Sequence, residues 1–316
     1  MTNIIIRIRL QLAHWWYITF QPTPPDNNIE ITVDTDTKDY GAIKDTTTNK
    51  LDNYGTQLCI MTSMCMFRNI ISLPLPLILS ILHQHDKLFG SNVSHGISLV
   101  LIYAAFSDII AWSFGSLYIG YYTKGQSYSI YKLLFSPPVI GASIGLFIGL
   151  VSPIRELFYS NQGEDAVFYN TITLSVDTLG TATNPCLLVL FGAYIYDSWK
   201  SLNTDDSNIK PKWIDVVLML ILTLIVTPGI LVMIIMNSYN LGILPKEDLL
   251  LVLVLLVEAC TPTTMDLPMI CQNAENKDGQ ALSVILMLYQ YLVSIITLTC
   301  WLSFIIVIIS QFSTHI

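Results

Sequence analysis

Long uninterrupted apolar runs constrain this chain more than any other feature. Several exceed the roughly 18 residues that read as a bilayer-spanning helix. They follow one another from residue 57 to residue 310. The apolar residues come in blocks rather than in stripes, so a helix made from one is apolar all round and belongs in lipid or inside protein. Composition agrees: 53% of residues are hydrophobic and 12% are charged. A soluble domain carries about twice that charged share, and the mean hydropathy here is +0.57. The chain reads as an all-α polytopic membrane protein, with the lipid bilayer as its first partner.

The formal net charge of −8 comes largely from polar segments between the runs, among them Asp34, Asp36 and Asp39. No basic patch points to nucleic acid. The six cysteines lie in or beside apolar runs without paired metal spacing, so neither disulfides nor a zinc site is expected. No cofactor and no metal is called for. An enzyme is disfavoured: there is no His-Glu-x-x-His, no Gly-x-Gly-Asp, and no nucleophile and base at matching depths.

Residues 1–56 differ from the rest. Ile4 to Phe20 is apolar but holds Arg7 and Arg9, with Trp15 and Trp16 suited to an interface. Residues 21–56 are rich in Thr, Asp, Asn and Pro and read as a mobile cytosolic arm. Seven apolar segments follow, at 57–83, 96–122, 136–158, 166–197, 213–236, 248–271 and 280–310. A loop at 123–135 separates the first two from the rest, and 311–316 is a tail. Lys124, Lys132, Lys200, Lys210 and Lys212 outnumber Lys87, Arg155 and Lys246, which places the first set in the cytosol. Lys277 agrees. Asn92-Val93-Ser94 is a sequon on the opposite side, too near the membrane for an expected glycan.

Proline removes a backbone donor and clashes with the preceding turn. In lipid, backbone opened in this way is tolerated where it is buried in protein or lines a cavity. Carriers exploit such breaks, because half-helix ends present partial charge at mid-membrane. Two segments have this form, Asn69-Ile70-Ile71-Ser72-Leu73-Pro74-Leu75-Pro76 and Cys260-Thr261-Pro262-Thr263-Thr264-Met265-Asp266-Leu267-Pro268. Each has two prolines with hydroxyl or amide neighbours. Asn69, Ser72, Pro74, Pro76, Thr261, Pro262, Thr264 and Pro268 form the candidate substrate site, for a small organic anion held by half-helix N-termini near Asn69 and Thr263. An ordinary proline kink is the alternative for each segment, and it is the preferred account of Pro228-Gly229.

Ionisable residues inside spans are costly and face the interior. Asp108, Glu258 and Asp266 are the candidates for proton coupling; hydrogen bonding to a neighbouring helix is the alternative, and it is preferred for Asp177. Gly141, Gly145 and Gly149 have small-residue spacing, which suits close helix packing.

Several motifs resemble the auxin efflux carrier family of membrane transport proteins, especially its fungal and protist members and the plant PIN-like proteins. Ser136-Pro137-Pro138 through Gly149 resembles the opening of the family's sixth helix, and Pro153-Ile154-Arg155 the sequence that follows. Leu179-Gly180 through Asn184-Pro185 to Gly192-Ala193 resembles the seventh helix, and Trp112-Ser113-Phe114-Gly115 the end of the fifth. Asn69 to Pro76 is similar to the crossover of the fourth helix, and Thr261 to Pro268 to that of the ninth.

The resemblance implies a ten-helix plan of two inverted repeats, of which this chain holds about seven helices, the fourth to the tenth. Residues 57–122 are then the remnant of the first repeat and 136–310 the whole second repeat. It implies secondary transport or facilitation of auxin-like weak acids by alternating access. It also implies a homodimer and residence in the endoplasmic reticulum rather than the plasma membrane. The family's first three helices have no visible counterpart in residues 1–56, so a truncated gene model, or a fragment acting as an inactive or regulatory partner of a complete carrier, is the second expectation. A seven-helix receptor is a third and lacks its signatures: no Asp-Arg-Tyr occurs, and no tyrosine stands three residues after Asn184-Pro185.

Overall fold

The computed structural model describes residues 55–84, 89, 93–124, 136–159, 168–203, 211–245 and 248–313. The expectations for residues 1–54, for most of the 123–135 loop and for residues 314–316 lie outside the described residues, as do Lys87, Asn92, Lys132, Lys210 and Lys246.

Among the described residues the regular elements are all helices. Helix α1 covers residues 55–66 and α2 Pro74–Gln84, with the first break between them. Helix α3 runs over 93–124 with a π-helical turn at Ala111–Gly115. Helices α4, Pro137–Leu150, and α5, Ser152–Tyr159, meet at a bend of 100°. A π-helical turn at Tyr169–Thr173 leads into α6, Leu174–Asn203. Helix α7 is Trp213–Asn240, with a π-helical turn at Leu222–Val226. The second break separates α8, Leu249–Cys260, from α9, Leu267–Asn273. Helix α10, Lys277–Ser313, closes the described chain.

Four of these helices (α3, α6, α7 and α10) are long and apolar enough to cross a membrane. The third apolar segment, expected as one span over 136–158, is a bent pair of helices that together are long and apolar enough for a fifth, broken span or a re-entrant loop. Helix α4 has 14 residues, about 21 Å at 1.5 Å per residue, which falls short of the hydrocarbon thickness. Pro137 and Pro138 open it, as expected of proline in a first turn. Val151 then leaves helical geometry, and α5 starts in a new direction at Ser152, with Pro153 in its first turn.

The carbonyls that Pro228 and Pro262 leave without a backbone donor are met by side chains. Pro228 cannot donate to the carbonyl of Leu224, four residues earlier. Trp301 Nε1 donates there instead at 2.9 Å, and Thr227 Oγ1 satisfies Leu222 O at 2.7 Å. The kink expected at Pro228-Gly229 is thus a π-helical turn stitched to α10. In α8, Pro262 would have met Glu258 O, and Thr261 Oγ1 takes that carbonyl at 3.0 Å.

Two buried apolar clusters lie on opposite sides of the breaks. One joins α2, α7, α8 and the second half of α10 through Ile78, Leu82, Leu231, Ile235, Leu253, Val257 and Ile305. The other joins α1, α9 and the first half of α10 through Ile60, Met64, Leu267, Ile270, Leu286 and Met287. Each broken segment therefore sends one half into each cluster. The small-residue face of α4 behaves otherwise than expected. A Cβ at Gly141, Gly145 or Gly149 would meet nothing within 4 Å, so these glycines make no close helix contact among the described residues. Close approach occurs at Gly115 instead, where a Cβ would lie 2.9 Å from the Phe67 ring.

Candidate functional site

The two broken segments cross and pair. Arg68 and Thr263 form an isolated antiparallel bridge. Asn69 N donates to Pro262 O at 2.7 Å, and Thr264 N donates to Phe67 O at 3.1 Å. The stretch after α8 has left the helical ladder, so its carbonyls need donors from elsewhere. Three consecutive ones are met from three sources. Thr261 O accepts from Arg68 Nη1 at 2.6 Å, Pro262 O from the Asn69 backbone, and Thr263 O from Tyr291 Oη at 2.8 Å. The donors are met too: Thr263 N reaches Gln290 Oε1 at 3.3 Å, and Thr263 Oγ1 reaches Met64 O at 2.8 Å. Interior backbone that could not persist in lipid is held by the first broken segment, by the Met64 carbonyl of α1 and by side chains of α10.

The expected site residues take distinct places here. Asn69, 2% exposed, donates its Nδ2 to Tyr291 Oη at 2.8 Å, while its Oδ1 accepts from Leu73 N at 3.4 Å. Ser72 Oγ donates to Asn184 Oδ1 at 3.1 Å, and Pro74 opens α2 one turn away. Pro185, next to Asn184, lies within the continuous helix α6 and is exposed. Pro76 is exposed, on the outside of α2, and does not join the site.

On the other segment, Thr261 is fully buried and its hydroxyl caps its own helix. The Thr264 hydroxyl donates to Asp266 Oδ2 at 2.9 Å. Pro262 and Pro268 are buried. Asp266 occupies the N-cap of the seven-residue α9, so a carboxylate already stands where the second half-helix would present its positive end. Asp108, one turn ahead of the π-helical turn of α3, lies within electrostatic reach of Asp266. Glu258 is 1% exposed in the last turn of α8. Asp177 is exposed on α6 and lines a groove of about 440 Å³ with Gly145, Tyr159 and Tyr169, away from the crossing.

Sequence reasoning passed over Arg68, Asn184, Gln290 and Tyr291. Arg68 carried a signal, being a formal charge within an apolar run. Gln290 and Tyr291 are adjacent polar groups within the last span. Asn184 was noted as part of a motif and not as a ligand.

No solved structure matches the chain. It is 30% identical over 185 residues to the protein PIN-LIKES 5 of Arabidopsis thaliana, covering 58% of this chain and 43% of that one. It is 30% identical over 180 residues to PIN-LIKES 7 of the same plant, covering 57% and 42%. An uncharacterised transporter of Schizosaccharomyces pombe is 29% identical over 147 residues, or 44% of this chain and 30% of that one. The chain therefore matches less than half the length of each of these curated relatives. The model of the membrane transport protein family matches residues 48–302, which takes in both breaks, the crossing itself, helices α3, α6 and α7, and α10 as far as residue 302. The chain belongs to the membrane transport protein family, the group of the auxin efflux carriers and PIN-like proteins.

Proposed function

We propose that this integral membrane protein is a secondary carrier or facilitator of small organic anions, auxin-like weak acids in the first instance, working by alternating access at the crossing. The observation that carries the reading is the paired crossing at 67–69 and 262–264, with Asn69 and the Ser72–Asn184 contact at the N-terminal end of α2. The dipole at a helix start favours a carboxylate, and because the Leu75 and Leu77 amides already bond Ile71 O and Leu73 O, the donors to an anion there come from side chains. Helix α2 has 11 residues and no acidic residue in its first turn. The α9 end is occupied by Asp266, so the anion belongs on the α2 side. Asn69, Ser72 and Asn184 are its hydrogen-bonding residues. Thr261 and Thr264 shape the backbone around it.

Asp108 and Asp266 are the pair assigned to proton handling, since two carboxyls in mutual reach within a low-dielectric interior repel when both are charged. The endoplasmic reticulum is the membrane assigned, on the family resemblance alone.

Counterflow of radiolabelled indole-3-acetate and benzoate into proteoliposomes tests the reading. Saturable flux is expected, with KM raised about tenfold by Ser72→Ala or Asn69→Ala, the worth of one hydrogen bond of about 1.4 kcal/mol. Flux no greater than in protein-free vesicles, or a KM untouched by both substitutions, sinks it. An inward proton gradient should speed wild-type uptake and leave Asp108→Asn flux unchanged; equal stimulation of both removes the proton assignment.

A further inference from the structure

We infer that Arg68 is the positioning residue of the crossing. Its guanidinium clamps the unwound carbonyl end of α8 to the first broken segment, and so sets where Asn69 stands toward the substrate. The role of Asn69 rests on the function proposed above; the clamp itself does not.

Four observations converge. First, α8 ends at Cys260 and Pro262 cannot continue its ladder; the Thr261 hydroxyl meets Glu258 O, and the Thr261 carbonyl lies beyond the end of the ladder. That end also carries the negative pole of the half-helix. Second, the Arg68 guanidinium meets this pole. Nη1 reaches Thr261 O at 2.6 Å, a charge-assisted hydrogen bond. Third, Arg68 is 2% exposed, so it is sealed from water. A sealed guanidinium does not receive a substrate that arrives through water; it holds protein. Fourth, the neighbouring residue is Asn69, whose backbone bonds Pro262 O at 2.7 Å and whose side chain bonds Tyr291. Side chain and backbone of two consecutive residues thus grip two consecutive carbonyls. Displacing Arg68 from Thr261 loosens the Asn69–Pro262 bond next to it.

A buried arginine inside a membrane protein is expensive. Glu258, of opposite formal charge and 1% exposed, is buried at the same end of α8. The junction therefore holds both signs of charge, with the cation at the carbonyl end where it is most favourable. An ordinary apolar residue at position 68 would fill space and leave the Thr261 carbonyl without this donor.

Hydrogen exchange of the reconstituted full chain tests the clamp without any substrate. The reporters are the amides of Asn69 and Thr264, both donors across the crossing, with Leu253 in α8 as the core control. In Arg68→Gln the two reporters should lose at least tenfold in protection while Leu253 keeps its own. Arg68→Lys, which retains a charge and a donor, should hold them within about threefold of wild type. In the counterflow assay Arg68→Gln should raise KM about tenfold with the maximal rate within twofold, and Arg68→Lys should restore KM.

Unchanged protection at both reporters in Arg68→Gln overturns the inference. So does a loss of protection that extends to Leu253, since Arg68 would then serve folding at large rather than the crossing. A lysine variant as loose as the glutamine variant overturns it as well. If the wild type carries no anion, the proposed function fails, and the exchange data still decide the clamp.

Discussion

At the scale of single residues, Tyr291 is the side chain on which most of the crossing converges. Its hydroxyl accepts from Asn69 Nδ2 and donates to Thr263 O, so one oxygen bridges both broken segments and α10. Neither partner has water to fall back on. Tyr291→Phe keeps the ring, and its contact with Phe191, while removing both bonds. Leaving a buried donor and acceptor unmet costs about 2 kcal/mol or more, and a lower thermal unfolding midpoint in detergent should register it. A midpoint equal to wild type would mean that the bridge contributes nothing. Arg68 teaches the complementary point. A charge inside an apolar run is legible in sequence as a cost, but its purpose is not, because the carbonyl that offsets the cost lies 193 residues away.

Helices and their interruptions follow a plainer logic. The apolar runs marked where helices would lie, because lipid demands composition before it demands order. The double prolines of 69–76 and 260–268 marked both breaks, because proline's missing donor is a local property. The bend at Val151 was not legible. Pro153 reads equally as a residue inside a span or as the start of a new helix, and only the surrounding packing decides. The two halves of each broken segment were likewise assigned to spans with no indication that they divide between two apolar clusters. How a proline is compensated is equally non-local. Trp301 supplies the donor that Pro228 denies to Leu224 O. Trp301→Phe should therefore cost about 1–3 kcal/mol in the wild-type background. In a Pro228→Ala background the new N–H can take Leu224 O, so the same substitution should cost at least about 1 kcal/mol less, a coupling that a double-mutant cycle resolves. An identical cost in both backgrounds would assign Trp301 to packing alone.

For the molecule as a whole, the decisive feature is what it leaves uncovered. Leu150, Leu179, Val189 and Ile296 are each exposed by 70% or more. Soluble monomers do not leave apolar area of this kind uncovered around their whole circumference. Helix α10 makes the case most sharply. Its 37 residues extend about 55 Å at 1.5 Å per residue, well beyond a hydrocarbon core of about 30 Å. Its faces divide: Leu298 and Ile305 are buried against α8, while Ile295 and Ile296, near its midpoint, point outward. Outward in water and outward in lipid predict opposite responses to a charge. Ile296→Arg on a water-facing helix would be nearly neutral, as exposed substitutions usually are. At the centre of a lipid-facing helix it costs about 2.5–3.5 kcal/mol of insertion free energy, about seventy- to four-hundredfold in the insertion equilibrium. The protein's place in the bilayer thus predicts a large loss of membrane-integrated α10 in a glycosylation-reporter insertion assay. Ile296→Leu should insert like wild type, and an arginine variant that also did so would place this face against water or against another protein surface.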